Sequence, residues 1–158
     1  MFINARAIVE RESETGIEIL LQIRDKPNEP KAYELPGGRI EEYESIEAAL
    51  YREVYEETGL KVKKIIGDTN RSVYSNSSVS IEGLNPFFVY QTLEGPVDSI
   101  GFIFRCNVVE GELSDKEEAY GHDWFKVEHL AEKLRNTPDA FDFLTPGLLE
   151  YYLNNALR

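Results

Sequence analysis

Three glutamates, Glu53, Glu56 and Glu57, fall within one turn and a half of sequence, directly after Arg52. From Glu34 to Glu57 the chain carries eight acidic residues against two basic ones, Arg39 and Arg52. Like charges three or four apart on a helix repel, so the crowding is costly unless a cation belongs there. Carboxylates at i, i+3 and i+4 project from one side of a helix and can reach a common point above it. An all-oxygen set of this kind favours Mg²⁺ or Mn²⁺, whereas zinc asks for His or Cys. Magnesium commonly keeps several waters and shares its other positions with substrate phosphates. Such ions relieve the repulsion and turn an acidic cleft into a receptor for phosphate.

The helix that positions these residues is expected over Ser45–Thr58, with Gly59 as its C-terminal stop. Ile46, Leu50 and Val54 form its apolar stripe. Glu53, Glu56 and Glu57 border that stripe, with the small Ala49 one turn up their face, so the carboxylates fall in a cleft between core and solvent. Glu41, Glu42 and Glu47 lie elsewhere and read as solvated charge. Upstream, "FINARAIVERE" and "IEILLQIRD" read as strands of a hairpin around the turn "SETG". "KPNEPKAYELPGG" reads as loop, punctuated by Pro27, Pro30 and Pro36. Downstream, "LKVKKIIGD" is a strand, and "TNRSVYSNSSVSIEGLNP" is a long polar loop or a loose hairpin. "FFVYQTL" and "IGFIFRCNVVEG" are strands around "EGPVDS", and "DWFKV" is a short strand. "EHLAEKLRN" and "PGLLEYYLNNAL" are helices. The order predicts a single α/β domain over residues 1–158, a mixed sheet with helices on both faces.

Composition narrows the partners. A net charge of −12 opposes binding to nucleic acid or an anionic membrane. It also repels a free polyphosphate unless metal ions intervene. The lone cysteine, Cys106, rules out an internal disulfide and suits a reducing compartment; its place in an apolar strand pattern marks a small buried hydrophobe. The opening "MFINARAIVERESE" lacks the basic start and apolar run of a signal peptide. The apolar runs are too short to span a bilayer. A cytoplasmic protein is expected.

Gly38, five residues, Glu44, seven residues and then "REVYEETGL" from Arg52 to Leu60 match the signature of the Nudix hydrolase family at every fixed position. The chain resembles that family further in "ELPGG", "LLQIRD" and "DWFKVEHL". It departs at Tyr43, where many members have glycine before the Glu–Ser pair. The resemblance implies an α/β/α sandwich with a mixed β-sheet and the box as loop–helix–loop. It also implies hydrolysis of a diphosphate linked to another moiety, usually a nucleoside, with Mg²⁺ or Mn²⁺. By the same resemblance Glu53, Glu56 and Glu57 bind metal, and the carbonyl of Gly38 adds a ligand. Arg52 orients catalytic glutamates, Glu44 steadies the loop and that arginine, and Glu53 or Glu57 serves as base. A further acid comes from the loop before the tryptophan-bearing strand: Glu118, with Glu117 in reserve. Arg24 stands where relatives meet substrate phosphate.

The stretch Thr69–Pro86, with Tyr74, is placed to cover a base or sugar. Arg6 and Arg71 read as surface charges. His122 and His129 lack metal-type spacing and read as surface or structural, and Trp124 reads as core. Neither the proline of the ADP-ribose-type signature nor the Ser–Gln-rich signature of the NADH-cleaving branch is present. Nucleoside triphosphates, modified nucleotides and other sugar nucleotides stay open, as does a homodimer. Two alternatives compete with the hydrolase: a nucleotide-sensing module without catalysis, and a prenyl-diphosphate isomerase. The isomerase wants a catalytic cysteine, a role that Cys106 does not suit.

Overall fold

The expected hairpin is built from β1 (Phe2–Ser13) and β2 (Gly16–Arg24), but only the ends nearest the turn pair, from Glu10 with Ile19 to Ser13 with Gly16. The computed structural model describes residues 1–116 and 118–156. Beyond the paired ends the two strands diverge. The gap takes two three-residue strands that the sequence read as loop: β3 (Ala32–Glu34) on β2 and β4 (Gly37–Arg39) on β1. Segments this short carry no readable alternation; the open edges of β1 and β2 recruit them by offering unpaired backbone groups. Pro36 separates them, since it cannot donate to a ladder.

The box helix α1 (Ile46–Thr58) starts at Ser45, whose side chain accepts the Ala48 N–H, and stops at Gly59 in the left-handed conformation. It is followed by β5 (Val62–Ile65). The polar stretch after β5 resolves as a hairpin of β6 (Ser72–Ser75) and β7 (Ser80–Gly83), forming its own two-stranded sheet. Next come β8 (Phe88–Gln91), β9 (Ser99–Val108) and β10 (Ala119–Lys126). The last of these starts at Ala119 rather than Asp123, because a bulge between Tyr120 and Asp123 breaks its alternation. Helices α2 (Val127–Asn136) and α3 (Thr145–Asn155) close the chain.

The main sheet runs β10-β2-β1-β9-β5, with β8 also on β9. β1 pairs with β9 in parallel, while β1–β2, β2–β10 and β5–β9 are antiparallel, so the sheet is mixed, as expected. On one face Ala5, Ala7, Val9, Leu20 and Phe104 meet Leu50 and Val54 of α1. On the other, Ile8, Ile19, Leu21 and Ile103 meet Leu130 of α2 and Leu148, Leu149 and Tyr152 of α3. Because both faces are covered, β1 is buried at every position from Asn4 to Glu10, which hides the period-2 signal of a one-sided strand. Each fully buried Leu or Ile contributes about 1.5–3 kcal/mol, enough to seat α1 rigidly over the divergence of β1 and β2. Among the described residues no helix is long and apolar enough to cross a membrane.

Candidate functional site

The site lies where β1 and β2 part, beneath the glutamate side of α1. Gly37 occupies a φ of 152°, and a Cβ there would stand 2.4 Å from Arg6 Cγ and 2.5 Å from the Ala5 carbonyl oxygen. Only glycine tolerates both the dihedral and the approach. Gly38 touches the carboxylate side: a Cβ on it would fall 2.6 Å from Glu53 Oε2. The turn and the helix therefore pack backbone against carboxylate.

Arg52 binds the loop that precedes the helix. Its Nε donates to Glu44 Oε2 at 2.7 Å and its Nη2 to Glu44 Oε1 at 2.9 Å, the two-pronged grip expected of a guanidinium. Nη1 donates to Glu53 at 2.8 Å and to Glu56 at 3.1 Å, and Nη2 also reaches the Arg39 carbonyl at 3.0 Å. The hydrogen bonds from Arg52 hold the Glu44 carboxyl down at about 2, and those carboxylates push the guanidinium further up. Tyr43, in the same loop, has a φ of 59° and is fully exposed. That left-handed position is one that glycine adopts at less cost.

Glu57 faces the interior instead. Its Oε1 accepts the Gly37 N–H at 2.8 Å and Gln22 Nε2 at 3.0 Å, and the same Gln22 amide group lies 3.3 Å from Glu34 Oε1. Burial, followed by the neighbouring Glu34 carboxylate, pushes the Glu57 carboxyl up to about 7. Burial also raises Glu34 and Glu53. Arg24 Nη1 stands 3.7 Å from Glu34 while its Nε is bonded to Glu29 at 3.0 Å, so the structure brings Arg24 to this cluster.

Glu53, Glu56 and Glu57 do not meet at one point in this arrangement, and among the described residues no three acidic, His or Cys side chains form a metal-type group. The cause is local: Arg52 draws Glu53 and Glu56 to itself, and Glu57 turns under the Gly37 amide. The donor chemistry still fits a hard divalent ion. The available donors are all oxygen. Glu57 is bonded to neutral groups only, and both Glu53 and Glu57 are raised, the condition that a nearby cation corrects.

The remaining candidates are spread out. Glu118 stands exposed at the start of β10, one residue before the Ala119–Arg24 pairing; Glu117 lies outside the described residues. Tyr74 is exposed on the β6–β7 hairpin. Glu82 on β7 bonds Ser45 Oγ at 2.6 Å and the Ile46 N–H at 2.8 Å, docking the hairpin at the start of α1. That is about 16 Å along the axis from Glu57. Tyr74 pairs with Ile81 and Val73 with Glu82, so Tyr74 lies on the ribbon face away from this contact.

One reading of the sequence is corrected: Arg6 is buried, not a surface charge. Arg71 is a surface charge, as read, and its Nε bonds Glu82 at 2.8 Å and lies 3.5 Å from Glu47. Salt-bridge geometry of this kind across elements leaves no trace in local sequence. Gln22 and Glu34 were missed, although each gave a signal: a glutamine inside the apolar run "ILLQI", and an acid directly before "LPGG". His122 is structural, as read. Its side chain is buried and its Nε2 donates to the Glu57 carbonyl at 2.8 Å, while His129 is exposed. Trp124 packs into the core beneath α1, with the Arg11 guanidinium 4.2 Å above its ring. Cys106 is fully buried there too, and burial pushes its thiol up to about 12.

A model of the NUDIX domain matches residues 1–145. The ADP-ribose pyrophosphatase of Methanocaldococcus jannaschii is 33% identical over 114 residues, covering 70% of this chain and 56% of that protein. A MutT-like protein of Streptomyces ambofaciens is 29% identical over 115 residues, covering 73% and 60%. The chain thus spans little more than half the length of these relatives. Among solved structures, the Nudix domain of Shewanella oneidensis NrtR complexed with ADP ribose superposes with a TM-score of 0.67. The match covers 99% of this chain and 88% of that one, at 16% identity, so the likeness is one of fold.

Proposed function

Because the chain belongs to the Nudix family, we propose that it is a metal-dependent pyrophosphohydrolase. It cleaves a nucleoside diphosphate linked to another moiety, in the cytoplasm, with residues 1–158 acting as one domain. The observation that carries this reading is the placement of Glu53 and Glu57 against the Gly37–Gly38 turn, with Glu57 half-buried and hydrogen-bonded to neutral groups only. Glu53, Glu56, Glu57 and the Gly38 carbonyl would hold Mg²⁺ or Mn²⁺. A bound ion there supplies positive charge to the phosphoryl oxygens and acidity to the attacking water.

The chain's own residues do the rest. Arg52 holds Glu53 and ties the helix to the preceding loop, so the donors keep their spacing. The proton of the attacking water passes to a carboxylate, Glu53, Glu57 or Glu118. Arg24, beside the cluster, takes a phosphate by exchanging one of its carboxylate partners.

The substrate is a nucleoside triphosphate or a modified or sugar nucleotide. ADP-ribose heads the list because of the pyrophosphatase relative, although the proline signature for it is missing. The second reading is a module that binds nucleotide without cleaving it. The complete set of Arg52, Glu53, Glu56 and Glu57 counts against it, since binding alone does not require them. The isomerase reading loses its support with Cys106 sealed in the sheet.

The test is a panel of ADP-ribose, 8-oxo-dGTP and nucleoside triphosphates, with Mg²⁺, Mn²⁺ or EDTA, followed by release of phosphate or nucleoside monophosphate. Turnover of at least one compound that EDTA abolishes is expected. Tight binding of a panel member without turnover under either ion supports the sensing module instead.

A further inference from the structure

Arg6 has no part in the reading above, yet it lies at the base of the site. It is 8% exposed, on β1 directly across from Gly37. Its Nη1 donates to the Leu35 carbonyl at 3.1 Å and stands 3.9 Å from Glu34 Oε2, and its Nε is buried without a partner. A buried guanidinium with an unfilled donor is expensive in free energy unless nearby negative charge offsets it. Here that charge is Glu34, which shares the Gln22 amide group with Glu57. One side chain therefore touches both things that aim Glu57. It holds the turn whose Gly37 N–H binds the carboxylate, and it faces the buried acid that crowds it.

We propose that Arg6 is a positioning residue for Glu57. From beneath the Leu35–Gly37 turn it fixes the turn's backbone and offsets the charge of Glu34, so that Glu57 keeps its bond to the Gly37 amide. The inference rests on the phosphoanhydride-cleaving function proposed above, but its test has arms that do not.

Three readouts compare wild type, Arg6→Met and Arg6→Met with Glu34→Gln: melting in EDTA, binding of Mn²⁺ alone by calorimetry, and kcat and KM on the best compound of the panel. Arg6→Met lowers kcat by roughly 10- to 100-fold while KM moves by less than about threefold. It binds Mn²⁺ at least as tightly as wild type, because a positive charge has left the neighbourhood. The double variant regains roughly tenfold of the lost kcat and melts above the single one, since the uncompensated carboxylate is gone. A single variant with wild-type kcat, a double variant no better than the single, or weakened Mn²⁺ binding overturns the proposal; the last marks general damage to the site. If Arg6→Met does not fold, recovery of folding by Glu34→Gln supports the charge pairing, and no recovery refutes it. If wild type cleaves nothing in the panel, the function falls, and the melting order and Mn²⁺ binding still decide Arg6.

Discussion

Replacing Glu57 by glutamine should make the metal-free protein more stable, by an amount that depends on pH in a defined direction. In the unfolded chain this carboxyl titrates at its ordinary value of 4.5, and in the folded protein at about 7. Between those values the folded state holds a proton that the unfolded state has lost, so stability falls as pH rises through that window. Below it both states are protonated and nothing is lost. Above it the full cost applies, about 3 kcal/mol at about 1.4 kcal/mol per pH unit. Glutamine carries no charge and keeps an oxygen able to accept from both Gln22 and Gly37, which now share Oε1. The neighbouring Glu34 carboxylate contributes to this cost after burial, so the substitution removes that repulsion as part of the same amount. For a chain of this size about 3 kcal/mol corresponds to roughly 6–12 °C in Tm. Melting in EDTA is therefore expected to show the variant level with wild type at pH 4 and well above it at pH 8. The same variant should lose most turnover with Mg²⁺ or Mn²⁺. Curves that run parallel across the pH range, or a variant that melts lower at pH 8, would refute the assignment of Glu57 as a half-buried carboxylate raised by desolvation.

Arg52→Lys keeps the charge but cannot hold Glu44 with two prongs while reaching Glu53, Glu56 and the Arg39 carbonyl; steady-state kinetics should show kcat lower by roughly 100-fold, and an unchanged kcat reduces Arg52 to a helix-surface residue. Glu118→Gln should lower kcat by roughly one to three orders of magnitude and leave the metal-free Tm unmoved, because an exposed loop charge contributes little; normal kinetics would make that loop idle and put the base at Glu53 or Glu57. Tyr43→Gly relieves a left-handed residue whose side chain is fully exposed, at some cost in unfolded-chain entropy, so a scan should find Tm higher by roughly 1–3 °C; a drop in Tm would show that the tyrosine ring packs in solution.

The box helix was legible to within a residue because its signals are local. Ser45 caps its own helix three residues on, Gly59 ends it through its own φ, and the spacing of Ile46, Leu50 and Val54 declares the buried side. The long strands, the position of α2 and α3 and the two-sided sheet followed from the same short-range patterns. The hold of Arg52 on Glu44 was expected from the family resemblance, and the structure shows it as two-pronged. What the sequence did not disclose are contacts between residues far apart in the chain. Three-residue strands such as β3 and β4 exist only because β1 and β2 diverge and leave edges to pair. The burial of Arg6, the sharing of Gln22 between Glu34 and Glu57, and the docking of Glu82 on the start of α1 join residues 12 to 37 positions apart. Residue type and spacing thus named the candidate groups for the chemistry. The tertiary structure decided their charge state and aim, because desolvation and the field of distant neighbours act through space and have no period along the chain.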